Sequence, residues 1–282
     1  DAKILDVRSM GFDNADRLAM TKLLLTPEER LDNMTIEDWF GPHFFETNFW
    51  YMWQTTFAFQ KWSSLFEFRR YMNRMIFEFP RIETLEGVTR TPYNQYESVI
   101  LPLKAYLETN GVRFETGRTV TDIDFAPGEA LTATALHFAD GSAVDLREGD
   151  VCIMTNACMT DSATLGNLHA PAPAPERKPV SAELWAKVAA KRPGLGNPEP
   201  FFGNVNESNW ESFTVTCKGN RLLKMIENYS GNIPGSGALM TFKDSSWCMS
   251  IVVAAQPHFK AQDPDTTIFW GLFNANTVIA TI

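Results

Sequence analysis

Between residues 65 and 79 apolar side chains recur every three or four positions: Phe68, Tyr71, Met72, Met75, Ile76 and Phe79. That period gathers them on one face of a helix and leaves Glu67, Arg69, Arg70 and Arg74 mostly on the others. No proline interrupts residues 43–79, so the pattern predicts two helices with a break near Phe59-Gln60. Shorter helices are expected ahead of them. Thr26-Pro27-Glu28-Glu29 combines a capping hydroxyl, a proline at the first helical position and a following Glu. Thr35-Ile36-Glu37-Asp38 offers a similar start, and Gly41-Pro42 should close that helix.

After residue 93 the pattern changes. Residues 96–110 read as a helix stopped by Gly111, and residues 112–115 and 118–125 as strands. Residues 131–138 alternate, Asp140-Gly141 turns, and residues 142–146 return, as in a hairpin. Residues 150–155 form a short apolar run, expected as a buried strand. Ala170-Pro-Ala-Pro-Ala-Pro175 is a stiff connector, and residues 181–191 are an amphipathic helix. Residues 237–243 and 247–255 read as paired strands across Asp244-Ser245-Ser246. The expected fold class is therefore α/β in the broad, α+β sense.

Composition narrows the function. With 282 residues, 44% hydrophobic and 21% charged, the chain can bury a sizeable core. A net charge of −9 argues against a nucleic-acid partner, which needs clustered Lys and Arg. No apolar run approaches the roughly 20 residues of a membrane span. Four scattered cysteines, Cys152, Cys158, Cys217 and Cys248, make no disulfide framework, and a cytoplasmic location is expected. The Asn-x-Ser/Thr matches at Asn33, Asn206 and Asn228 then carry no weight. The four histidines and four cysteines show no metal-ligand spacing, so no metal is expected. Ser236 lacks a nucleophile elbow, and no Gly-rich phosphate loop is present. The chain starts without Met and stops at Asn-Thr-Val-Ile-Ala-Thr-Ile, so it is expected to be an internal fragment.

Residues 39–79 hold 16 of the 35 aromatic side chains. They fit either an aromatic core or a wide slot for a long hydrocarbon. Tyr71 lies on the buried stripe, where its hydroxyl is either a satisfied core group or a proton donor facing an apolar ligand. At the end of an apolar strand, Gln256-Pro257-His258 offers hydrogen bonds to a carboxylate, or is a solvated loop. Ser250, Val252 and Ala254 share one face of that strand by its period of two.

Several segments together resemble the oleate hydratases, the FAD-binding fatty acid hydratases also called myosin-cross-reactive antigens. The matching words are Phe44-Phe-Glu-Thr-Asn-Phe-Trp50, Thr55-Thr-Phe-Ala-Phe59, Glu67-Phe-Arg-Arg-Tyr71, Tyr93-Asn-Gln-Tyr-Glu-Ser98, Trp247-Cys-Met-Ser250 and Gln256-Pro-His-Phe259. The resemblance implies water addition to a cis double bond of an unsaturated long-chain fatty acid, with Tyr71 as proton donor and His258 as carboxylate ligand. Gln256 and Ser250 are expected beside the substrate. Val252 and Ala254 stand where relatives carry a Thr or Ala and an Asn, which thins the head-group contact. FAD contacts are expected near Val120 and at Thr155, Asn156 and Ala157, within a two-dinucleotide-fold flavoprotein.

The implied division is an aromatic-rich helical substrate segment at 1–85, the middle of the FAD domain at 86–168, and a β-rich substrate segment at 169–282. The water-activating Glu falls outside this chain, so inactivity alone is expected. Peripheral membrane contact and a homodimer are further expectations for the complete protein. A redox flavoenzyme acting on a lipid and a non-catalytic fatty-acid binder remain alternatives.

Overall fold

The computed structural model describes residues 4–82, 84–156, 158, 160–173, 179–203, 207–236 and 240–274. In chain order the helices are α1 (Asn14–Leu25), α2 (Asn48–Phe57), α3 (Leu65–Met75), α4 (Leu101–Thr109), α5 (Val180–Lys191), α6 (Glu199–Phe202) and α7 (Arg221–Ser230). The strands are β1 (Val120–Phe125), β2 (Ala133–Phe138), β3 (Ala143–Asp145), β4 (Trp210–Lys218), β5 (Met240–Phe242), β6 (Met249–Val252) and β7 (Thr266–Asn274). The mixed helix-and-sheet class is as the patterning predicts. The chain divides into two compact units, Asp1–Asn110 with Ser208–Val278, and Gly111–Glu207. No helix among the described residues is long and apolar enough to cross a membrane.

The first unit is organised by rings. Phe44, Phe49, Trp50, Trp53 and Phe68 are each at most 2% exposed. Phe44 alone meets Phe40 at 3.8 Å, Phe49 at 5.7 Å and Phe68 edge-on at 6.3 Å. Burial on this scale is the main favourable term in folding, and it needs α2 and α3 to present their apolar faces to each other. Each helix has a local start signal. The Thr47 hydroxyl accepts from Trp50 N at 3.1 Å, and the Ser64 hydroxyl from Glu67 N at 3.4 Å. Ala58 ends α2 in the left-handed conformation, with φ of 58°.

Arg69, off the apolar stripe, reaches the C-terminal end of α1. It donates to Leu23 O and Leu24 O at 3.1 Å each and to Glu28 at 3.1 Å. Leu23 O also accepts from the C-cap Thr26 N at 3.2 Å, so Arg69 adds to the capping of a helix end whose last carbonyls lack the usual donors.

Three expected features of the N-terminal region take other forms. Thr26 turns its hydroxyl back to Lys22 O at 2.6 Å and closes α1, so only a single 3-10 turn, Glu28–Arg30, follows it. Thr35 and Asp38 exchange capping bonds without starting a helix, because the Thr35 backbone bridges to Ser64 instead. Pro42 opens a 3-10 turn, Pro42–Glu46, where its missing N–H costs nothing.

The same unit holds a four-stranded antiparallel sheet in the order β4-β7-β6-β5. Thr241 pairs with Ser250, and Ser250 with Leu272, so these three side chains share one face. The hairpin expected across 244–246 is present, although 237–239 lie outside the described residues.

In the second unit β1, β2 and β3 form an antiparallel meander, and α5 covers it through Ile123, Leu184 and Val188. The expected strands at 112–115 and 150–155 are absent. Val151 and Ile153 are 83% and 81% exposed, which corrects the expectation of a buried strand. Among the described residues the run joins neither sheet, so its apolar side chains lack the neighbour that would bury them.

At the start of α1, Asp13 and Asp16 form a capping box, each carboxylate accepting the other's backbone N–H. His43 Nδ1 adds a 2.7 Å bond to the buried Asp16 carboxylate and stands 3.5 Å from Asp13. The Asp16 hydrogen bond holds His43 above its ordinary value of 6.5, helped by the charges of Asp16, Asp13 and Glu46. A folded-state value raised in this way stabilises fully below 6.5 and loses its contribution as pH rises through the folded value. Thermal unfolding at low salt should therefore show the melting temperature falling across that window, and His43→Gln should flatten the fall. Parallel profiles for the two proteins would show that the pair contributes nothing.

Candidate active site

Tyr71 sits at the rim of the ring core, half-buried on α3. Phe57 and Phe59 meet its ring edge-on at 5.1 and 5.2 Å. No hydrogen bond reaches its hydroxyl among the described residues, although the surrounding wall is aromatic. Glu67 lies one helical turn earlier on the same side; it is exposed by surface area, yet crowding by protein pushes its carboxyl up. Deeper in the wall, the buried indole N–H of Trp53 has no acceptor among the described residues. That region offers rings, one open hydroxyl and almost no competing polar groups.

A chain of hydroxyls joins this wall to the sheet. Thr55 on α2 lies 3.2 Å from Thr241 on β5, which lies 3.0 Å from Ser250 on β6. One residue earlier on α2, Gln54 donates to Cys248 Sγ at 3.3 Å. Ser250 is completely buried.

Beyond β6 the chain turns through a cis Gln256–Pro257 bond into the segment that carries His258. The Gln256 amide is fully engaged. Its nitrogen donates to Ala254 O at 3.0 Å and Ile268 O at 2.9 Å, and its oxygen accepts from Gln262 at 2.8 Å and Ile268 N at 3.1 Å. Gln262 in turn accepts from His258 N at 2.7 Å. From the other side, Asn94 donates to His258 O through its backbone at 2.9 Å and its side chain at 3.2 Å. Glu97 holds the Asn94 amide at 2.6 Å and accepts from Lys260 N at 2.9 Å.

The backbone of His258 is thus fixed from two directions, while its ring lies against Trp270 at 5.2 Å and Phe259 at 4.9 Å. No hydrogen bond reaches the ring nitrogens among the described residues. A fixed imidazole with both nitrogens unclaimed is suited to receive an anionic or polar head group.

Tyr71, Ser250, Gln256 and His258 all fall in the first unit. The geometry also brings in residues that were not singled out for a role: Thr55 and Thr241 between helix and sheet, and Asn94, Glu97 and Gln262 around His258. Asn94 and Glu97 stand inside one of the words that carried the resemblance, which was the signal available for them.

The expected cofactor residues lie in the second unit. Val120 opens β1 and packs against the small core under α5. Asn156 beside Thr155 spends its amide on Ser181 O at 2.7 Å, and Ala157 lies outside the described residues. A diphosphate is usually held by free N–H groups at a helix start. Here the Asp161 carboxylate already takes Ser181 N and the Ser181 hydroxyl, both at 2.9 Å, at the start of α5. The described residues therefore do not make a fitting cradle for FAD by themselves. The Asp13, Asp16 and His43 group has metal-ligand geometry, but its atoms are committed to capping α1.

Known proteins resemble the chain over most of its length. The chain is 43% identical to a linoleate hydratase of Lactiplantibacillus plantarum, over 96% of this chain and 51% of that protein. It is 34% identical to an oleate hydratase of Streptococcus pyogenes serotype M49 (strain NZ131), over 89% of this chain and 45% of that protein. The chain spans about half the length of the curated relatives it matches. A family model described as MCRA family matches residues 1–278, so this chain belongs to the MCRA family.

Proposed function

We propose that this chain supplies the alkene-protonating wall and the head-group loop of a fatty acid hydratase, which adds water to a cis double bond of an unsaturated long-chain fatty acid. The observation that carries the reading is the Tyr71 hydroxyl, open and without a partner among the described residues, at the edge of an aromatic wall. In a core otherwise packed with rings, such a hydroxyl is a natural place for an apolar ligand to meet a proton. The two hydratases quoted above support the same reaction class.

In the mechanism, Tyr71 gives its hydroxyl proton to one alkene carbon, forming a C–H bond and leaving positive charge at the other. A phenol is a weak acid, so the developing cation needs stabilisation, which the aromatic wall around Tyr71 would supply wherever it turns a ring face to the reacting carbon. Water closes on the cationic carbon and gives its proton to a base that the resemblance places outside this chain. His258 holds the carboxylate, so that the long chain presents its double bond in register with Tyr71. Gln256 and Ser250 shape the strand and loop behind that contact.

The complete protein is read as a two-dinucleotide-fold flavoprotein of the cytoplasm that meets its substrate at a membrane surface. The FAD assignment rests on the resemblance alone, and no step above runs through it.

In the complete protein Tyr71→Phe should lower the hydration rate by about a hundredfold or more, the usual worth of a positioned acid. Fatty-acid binding should survive, because the ring is kept. Retention of most activity would reduce Tyr71 to a packing residue. His258→Ala should raise KM for the free acid by about 1.5–3 kcal/mol if a charge-assisted hydrogen bond is lost. A methyl ester should be affected far less, whereas equal losses on acid and ester would move the head group elsewhere. Purified alone, this chain should carry no stoichiometric FAD. A yellow one-to-one complex in the visible spectrum would overturn that expectation.

A further inference from the structure

We propose that the hydroxyl chain Thr55–Thr241–Ser250 is the positioning device that sets the span between Tyr71 and the His258 loop, and so selects which double bond of a polyunsaturated acid is hydrated. The proposal rests on the hydratase reading above and deepens it with residues that touch neither end of the substrate.

The direction of the hydrogens decides what each hydroxyl can do. Thr55 sends its hydrogen into its own helix, to Tyr51 O at 2.8 Å and Met52 O at 3.1 Å, and carbonyls only accept. In the 3.2 Å contact with Thr241 the donor must then be Thr241. That commits the one hydrogen of Thr241, so Ser250 is the donor in the 3.0 Å contact between them. The hydrogens then point one way along the chain, from Ser250 to Thr241 within the sheet, from Thr241 to Thr55 across to the helix, and from Thr55 into α2. Ser250 keeps none to give a carboxylate, which leaves that contact to His258.

The ends of the chain of hydroxyls are buried, Ser250 at 0% and Thr55 at 1% exposure. Sliding α2 along β5 would break the one bond of the three that crosses from sheet to helix, Thr241 to Thr55, and take the half-buried Thr241 hydroxyl from its acceptor. That bond and the neighbouring Gln54–Cys248 contact both favour this register between helix and sheet.

Each end leads to a functional group. Two residues past Thr55, Phe57 meets the Tyr71 ring. Past Ser250, β6 runs into the Gln256-held loop that carries His258. A carboxylate fixed at one end and an acid fixed at the other measure off the hydrocarbon between them. A slip of little more than one bond length then changes the carbon that faces Tyr71.

The test uses the complete protein and linoleate, whose two double bonds stand at different distances from one carboxylate. Thr241→Val keeps the shape and suits a strand, but it removes the central hydroxyl. The ratio of the two hydroxy products should move at least fivefold from the wild-type ratio, while Thr241→Ser, which keeps the hydroxyl, should hold that ratio. An unchanged ratio in Thr241→Val overturns the proposal whatever happens to the melting temperature. If Thr241→Val does not fold, Ser250→Ala removes only the outer donor and should still shift the ratio at least twofold; no shift there overturns the proposal equally. Full activity in Tyr71→Phe would overturn both the hydratase reading and this one. An unchanged Thr241→Val ratio beside an inactive Tyr71→Phe overturns the hydroxyl chain alone.

Discussion

The structure of the first unit depends on the close packing of rings between α2 and α3. Once Phe44, Phe49, Trp50, Trp53 and Phe68 are withdrawn from water, every polar atom nearby must find a partner, sit at the rim, or go without. Thr55 finds helix carbonyls and the sheet, and Arg69 finds the free end of α1. The Trp53 indole goes without an acceptor among the described residues. Tyr71 takes the rim. The place of the candidate acid is thus a by-product of how the core is filled, which is why packing residues and the candidate acid share one helical stripe.

The features legible in the sequence were those with a short period. The α3 stripe, the break between α2 and α3, the helix ending at Gly111, the hairpin at Asp140-Gly141 and α5 each depend on neighbours within a few residues, and each is present. The features that could not be read depend on distant partners. The run at 150–155 has the composition of a buried strand, yet burial is a property of what lies beside it. Thr35 and Asp38 carry a helix-start signal that a bridge to Ser64 diverts into a turn. Local chemistry proposed these elements, and the tertiary surroundings decided otherwise.

The candidate site shows the same division. Tyr71 and His258 could be picked out as residue types in telling places, but their support could not. Gln256 looked like a ligand because amides bind carboxylates; in place, its amide ties the loop to β7, with bonds to Ala254, Gln262 and both backbone groups of Ile268. Asn94 reaches His258 across a separation of 164 residues, so no local window could connect them. Family words separated along the chain meet in space here, and what they share is a backbone held still. That explains why polar residues with no evident chemistry of their own belong to such words.

Ala58 carries a different kind of consequence. An L-residue in the left-handed region costs about 1 kcal/mol or more, and glycine would adopt the same backbone freely. Glycine would also widen the range of shapes open to the unfolded chain, which offsets the relief. The methyl group therefore adds little to net stability. What it removes is choice: the link after α2 has fewer alternative paths, and Phe59, the next residue, enters the wall from one direction. A turn of this kind holds order at the cost of comfort, so the edge of the aromatic wall stays a wall rather than a hinge.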